Sequence, residues 1–281
     1  MRVAEPPEIS GAQELKTYRT RVLNFLTEKT FHGFAKQNIP FSERLEFRSL
    51  DGAAFGRKTY SFVAEKDWRL KVDIRYRNSP EQKNPVILVL QSPNEQRWES
   101  EEFVSGLDEN YNIAYFETRG VGENGWSPEM QWHVRRAAAW TGRTIASMRV
   151  YDILSCLQFL RTFPGIENQQ IAIAARGEMC VPALYAALLD EHISAVVLQN
   201  PAETQNKPGL PDGRGETIEM LNCLRITDLP QVAGLLFPAK IVFVGAMPDT
   251  YSWTKSLYQT LGKKDNFQVV NNISEWSNTI E

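Results

Sequence analysis

Histidine and cysteine are both scarce in this chain, with three of each in 281 residues. Cys156, Cys180 and Cys223 are odd in number and widely spaced, which argues against a disulfide framework. Each sits in an apolar helical context, as a small buried hydrophobe would. No His/Cys/Asp/Glu cluster has a metal-ligand spacing, so neither a metal nor a cofactor is expected. An uninterrupted apolar run of about 18 residues is missing, so no membrane partner is expected either. Excess positive charge is also lacking. The formal net charge of -3 provides no global field for phosphate backbones, and nucleic acid is not expected as a partner. The basic cluster Arg135, Arg136, Arg143 and Arg149 reads as a solvated helix face or internal ion pairs. The opening "MRVAEPPEIS" has no apolar export region. A cytoplasmic location is expected if the chain is complete, and an exported one if it is cut from a longer precursor.

What is present is a regular alternation. "AQELKTYRTRVLNFLTEKTF" places Leu15, Tyr18, Val22, Phe25 and Leu26 at helical spacing. "YSFVAEKDWRLKVDIRYR" alternates Leu70, Val72, Ile74 and Tyr76 and turns near Lys66-Asp67, which predicts an antiparallel pair at a sheet edge. From Pro85 onward, short apolar runs alternate with helical stretches: "VILVL", "NIAYF", "IAIA", "AVVLQ", "IVFVG" and "FQVV". Strands buried on both faces read this way, and helices between them predict a mostly parallel, doubly wound sheet. A helix with the stripe Ile145, Met148, Tyr151, Leu154, Leu157 and Leu160 ends at Pro164-Gly165. The Pro/Gly-rich segment from Asn200 to Gly215 is the longest loop, and there is neither an internal repeat nor a domain linker.

The stretch "IAIAARGEMCVPALYAALLD", Ile171 to Asp190, reads as buried strand, tight turn and helix. With "FETRGVGENGW" and "YDILSCLQFLRTFPGIENQQ", it resembles the α/β-hydrolase superfamily, in particular acetyl xylan esterase-like and prolyl-oligopeptidase-like serine hydrolases, from about Leu70 to Val270. The resemblance implies an α/β-hydrolase fold: a three-layer α/β sandwich whose mostly parallel central sheet has about eight strands, with antiparallel N-terminal edge strands. It also implies one domain over residues 1–281, with residues 1–40 as a helical lead packed on the core.

Laid on the G-x-S-x-G elbow of those families, Ala175 to Met179 put Gly177 at the nucleophile position. Glycine supplies no oxygen to attack an acyl carbon, yet it tolerates the dihedrals of the turn. Asp249 matches the acid position, and no histidine follows it. Glu178 occupies the residue whose backbone N–H contributes to an oxyanion hole. The second donor belongs to "QSPNEQ", where Pro93 has no N–H. His192 reads as a helix-end residue and His32 as a packing residue, which leaves His133 as the only base candidate. Cys180 is a candidate nucleophile at a helix start, though a packing role fits it better, and neither Ser92 nor Ser127 has an assigned base. "RGVGENG" lacks the remainder of a phosphate-loop grouping.

Loops converging at the carboxyl edge of such a sheet are expected to bring Gln91, Ser92, Arg119, Glu123, Trp126, Arg176, Glu178, Asp249 and Trp253 to a ligand crevice. The plainer expectation is that Trp126 and Trp253 pack, while Arg176 or Arg119 pairs with Glu178 or Asp249. Three functions follow as expectations. The first is a non-catalytic module holding a small polar or carbohydrate ligand, with another domain of a longer chain as partner. The alternative is an active carboxylic-ester hydrolase on acetylated carbohydrate or small esters, built on Glu178, Asp249 and His133 or Cys180. The third is a homo-oligomer formed through exposed helices.

Overall fold

The computed structural model describes residues 3–35, 39–50, 56–77, 79, 82–210 and 212–276. The end of the tail at 277–281 and residues 1–2 and 36–38 of the lead lie outside the described residues.

Nine strands form one sheet: β1 (Arg44–Leu50), β2 (Gly56–Glu65), β3 (Trp68–Tyr76), β4 (Asn84–Leu90), β5 (Asn112–Glu117), β6 (Ile166–Arg176), β7 (Ile193–Gln199), β8 (Lys240–Val244) and β9 (Phe267–Val270). Their order is β1-β2-β3-β5-β4-β6-β7-β8-β9. β1, β2 and β3 are antiparallel to their neighbours, and all pairs from β5 to β9 are parallel. The α/β-hydrolase architecture expected from the sequence is present, with one strand more than the expected eight. The addition is β1, whose residues are nearly all exposed and therefore carry no core face to read. Asp67, at φ 62, makes the expected turn between β2 and β3.

Successive residues of the central strands serve opposite layers, because side chains alternate across a pleated sheet. Val86, Leu88, Leu90, Ile171, Ile173 and Ala175 pack on the larger core. Helices α1 (Ala12–Phe25), α4 (Ile145–Leu160), α5 (Cys180–Asp190), α6 (Leu229–Gly234) and α7 (Ser252–Thr260) contribute to that layer. Ile87, Val89, Ala172 and Ala174 face the other way, onto Phe103 at the end of α2 (Arg97–Phe103) and onto Leu107, Tyr111 and Trp276. A further helix, α3 (Pro128–Trp140), follows the loop after β5 and carries Arg135 and Arg136, and only Ala138 of it is buried.

The reversal of winding positions the site. β4 is flanked by β5 on one side and β6 on the other, so the loops leaving β4 and β6 diverge and open a crevice at their carboxyl ends.

Candidate functional site

β6 ends at Arg176, Gly177–Met179 form one tight turn, and α5 starts at Cys180. Gly177 has φ +53, and a Cβ built there meets no heavy atom within 4 Å. The left-handed backbone of an elbow is thus present, and a glycine holds it without steric cost. Over this turn lies a cavity of about 610 Å³, lined by Gln91, Ser92, Trp126, Gln131, Gly177 and Glu178 among others. Gly120, at φ +76, lies directly under the Trp126 ring; a Cβ there would stand 2.4 Å from it, so only glycine lets the indole close this wall.

The carboxylate of Glu178 is tethered. Its Oε1 accepts from Arg149 Nη1 at 2.7 Å, and its Oε2 accepts from the Thr217 backbone N–H at 2.8 Å. Arg149 Nη1 also donates to Thr217 Oγ1 at 2.8 Å, and Arg149 Nε donates to Arg119 O at 3.3 Å. This links the elbow, α4 and the loop from β7 to α6. A buried guanidinium needs such a counter-charge, since an unpaired buried ion costs several kcal/mol (about 3–5).

The amides that would complete an oxyanion hole beside β4 are already engaged. Gln91 N–H donates to Phe116 O at 3.1 Å, Ser92 N–H donates to Glu95 Oε2 at 3.2 Å, and Pro93 has none. Ser92 Oγ donates to Arg176 O at 3.0 Å, which ties this loop to the end of β6. Glu95 Oε2 also lies 2.8 Å from Arg176 Nη2, an ion pair outside hydrogen-bond geometry. Gln91 Oε1 and Trp126 Nε1 are buried without a partner among the described residues.

Several expected crevice residues are elsewhere. Arg119 is buried, with its guanidinium on Asp152 at 2.5–3.1 Å and on Glu65 at 3.1 Å, so it braces α4 to the sheet. Glu123 is exposed and pairs with Lys71. The indole of Trp253 donates to Pro7 O at 3.0 Å and its ring lies against Gly234, away from the crevice. Asp249 is exposed in a short turn after β8 and lines neither cavity that reaches the elbow. The pairing of Arg176 or Arg119 with Glu178 or Asp249 is likewise replaced: Glu95, Asp152 and Glu65 are the partners.

The proton-transfer candidates separate in the same way. His133 is exposed on α3, edge-on to Trp132 with centroids 4.9 Å apart, and lines neither cavity at the elbow. His192 Nδ1 lies 2.8 Å from Asp190 O at the end of α5, as a helix-end residue should, and His32 stands against Gly142. Cys180 is buried with Sγ directed at Ala175 O and Gln199 O, and burial pushes its thiol far above the ordinary range. It is a packing residue. Ser127 caps α3, accepting from Met130 N–H at 3.3 Å. Among the described residues, no three His, Cys, Asp or Glu side chains are grouped to hold a metal ion, and no helix is long and apolar enough to cross a membrane.

The sequence offers one signal for the residue it missed. Arg149 and Asp152 are the charges inside the otherwise apolar α4, and charges in a buried helix must have partners. Of the basic cluster, Arg135 pairs with Glu219, Arg143 with Glu65 and Arg149 with Glu178, while Arg136 lies over the Trp132 ring at 4.5 Å.

No family model and no curated protein matches the chain. Solved structures do. A protein from Bacteroides fragilis assigned as an acetyl xylan esterase matches with a TM-score of 0.75 at 14% identity, over 92% of this chain and 75% of that one. A glucuronoyl esterase from Solibacter usitatus matches with 0.65 at 10% identity, over 98% and 93%. Acetyl xylan esterase 1 from Thermoanaerobacterium sp. JW/SL YS485 matches with 0.58 at 13% identity, over 99% and 92%. The strand order, the glycine turn after β6 and these neighbours agree: the chain has the α/β-hydrolase fold of the carbohydrate esterases it resembles.

Proposed function

We propose that this is a non-catalytic α/β-hydrolase-fold module that binds a small polar or carbohydrate ligand in the crevice over Gly177. The single observation that carries the reading is the elbow itself. A glycine stands where an attacking oxygen is required, and no histidine lines either cavity that reaches it. The engaged amides of Gln91 and Ser92 support it further, since an acyl-transfer site needs free donors aimed at the developing oxyanion. Asp249, exposed and outside both cavities, has no base to orient. The ligand class is carried over from the neighbours, which are named as acetyl xylan and glucuronoyl esterases.

The test is hydrolysis of short acyl esters such as p-nitrophenyl acetate by the wild type and by Asp249→Ala. Both should run at the rate of a protein-free control. Turnover by the wild type that disappears in Asp249→Ala would instead establish the alternative, a carboxylic-ester hydrolase with a non-standard constellation.

A further inference from the structure

We infer that a separate cavity, between α3 and the loop that follows β7, binds an apolar monocarboxylate whose charge is received by Arg136. The inference goes beyond the crevice reading above and does not depend on it, because neither Gly177 nor Glu178 lines this cavity.

The cavity has a volume of about 600 Å³ and lies between α3 and residues 207–210 and 213–219. Its apolar lining comes from Trp132, Pro208, Leu210 and Ile218. Ile218 is buried and Leu210 is 58% exposed, so the apolar surface runs from the interior to the mouth. Glycines shape the space. Gly213, at φ +70, lies so close to Trp132 that a Cβ would stand 2.4 Å from its Cδ1, and a Cβ on Gly215 would stand 2.9 Å from Leu210 Cγ. These two positions seat the indole and the leucine against the loop backbone. A Cβ on Gly209 would meet only Arg135 Nη2, at 3.6 Å, so that position has room for a side chain and leaves it unfilled.

Three cations line the cavity, and two of them are spent. Arg135 Nη2 donates to Glu219 Oε2 at 2.7 Å, and its guanidinium also donates to the carbonyls of Gly213 and Glu216 at 3.1 Å. Lys207 pairs with Glu216 at 2.6 Å. Arg136 is exposed and makes no hydrogen bond or ion pair among the described residues; its guanidinium carbon lies 4.5 Å from the Trp132 ring centroid. An arginine held over an aromatic ring keeps its planar N–H fork for a carboxylate. The indole, Ile218 and Leu210 then receive the apolar body to which that carboxylate is attached. One unmatched cation selects one carboxylate, since a second anionic group would meet only cations that already have partners.

Calorimetric titration with 2-naphthoate, its uncharged amide 2-naphthamide and octanoate tests this. 2-Naphthoate should bind about tenfold more tightly than 2-naphthamide, because only the acid makes a charge-assisted pair. Arg136→Gln should bring the two to the same affinity, and Gly209→Leu, which fills the cavity, should weaken both. Far-UV dichroism and the thermal midpoint establish that each variant is folded. Octanoate reports on the apolar body: affinity at or above that of 2-naphthoate assigns an alkyl chain, lower affinity assigns a ring, and either supports the site. Equal binding of acid and amide by the wild type overturns the inference, as does an advantage for the acid that survives in folded Arg136→Gln. Binding unchanged in folded Gly209→Leu, or no binding of any of the three probes, overturns it as well. Each of these results leaves the reading of the crevice over Gly177 standing.

Discussion

Arg149 and Glu178 face each other at 2.7 Å, and the arginine side chain is 1% exposed. The residue after the elbow glycine is therefore committed to a buried ion pair that also fastens Thr217. In the serine hydrolases that this chain resembles, the corresponding backbone N–H serves an oxyanion. Here the side chain at that position joins the elbow to the loop above it.

Arg149→Met should destabilise the protein by about 3–5 kcal/mol, since Glu178 is left as an unpaired, mostly buried carboxylate. Urea denaturation measures the loss. The double variant Arg149→Met/Glu178→Gln should recover a substantial part of it. No recovery would mean that the arginine contributes through packing alone.

Gly177→Ser should fold, because its Cβ meets nothing, at a cost of about 1 kcal/mol for a non-glycine residue at φ +53. It should gain no esterase turnover, because the hydroxyl has no histidine to activate it and the Gln91 and Ser92 amides after β4 are already engaged. A steady-state assay of this variant against the wild type decides the point.

All three thiols are buried, and burial raises each of them, Cys223 to about 11. Native protein at pH 8 should release no chromophore with a disulfide reagent, and denatured protein should titrate three thiols. Rapid reaction of one native thiol would contradict the packing role given to Cys180.

Burial pushes the Glu65 carboxyl up, but hydrogen bonds and charges from Arg143 and Arg119 outweigh it and hold it below its usual value of 4.5. A carboxyl depressed in the folded state contributes stability above its unfolded value and loses it as the pH falls through the folded one. Denaturation midpoints should therefore drop below about pH 4.5, and Glu65→Gln should flatten that acid limb.

The central strands were legible because residues buried on both faces leave unbroken apolar runs. β1 was not, since "RLEFRSL" has no buried face, and α3 left no apolar stripe to read because nearly all of it meets solvent. The glycine turn was readable from strand, turn and helix in succession, while the destinations of long side chains were not. Arg119 reaches Asp152, 33 residues on, and Trp253 reaches Pro7, 246 residues back. Such pairings follow from which elements become neighbours and not from local spacing. The loop from Asn200 to Gly215 was legible as a loop, but that Asn200, Thr204 and Asn206 wall the crevice and Thr217 fastens it became visible only in three dimensions.

The turn after β4 has a consequence for redesign. Its first two amides are spent, Gln91 on Phe116 and Ser92 on Glu95, and Pro93 has none, so none of these three positions turns an N–H toward the cleft. Installing a hydroxyl and an imidazole would equip an engine with no earth connection. An engineer seeking turnover on this scaffold should first rewire residues 91–95, and only afterwards touch the glycine.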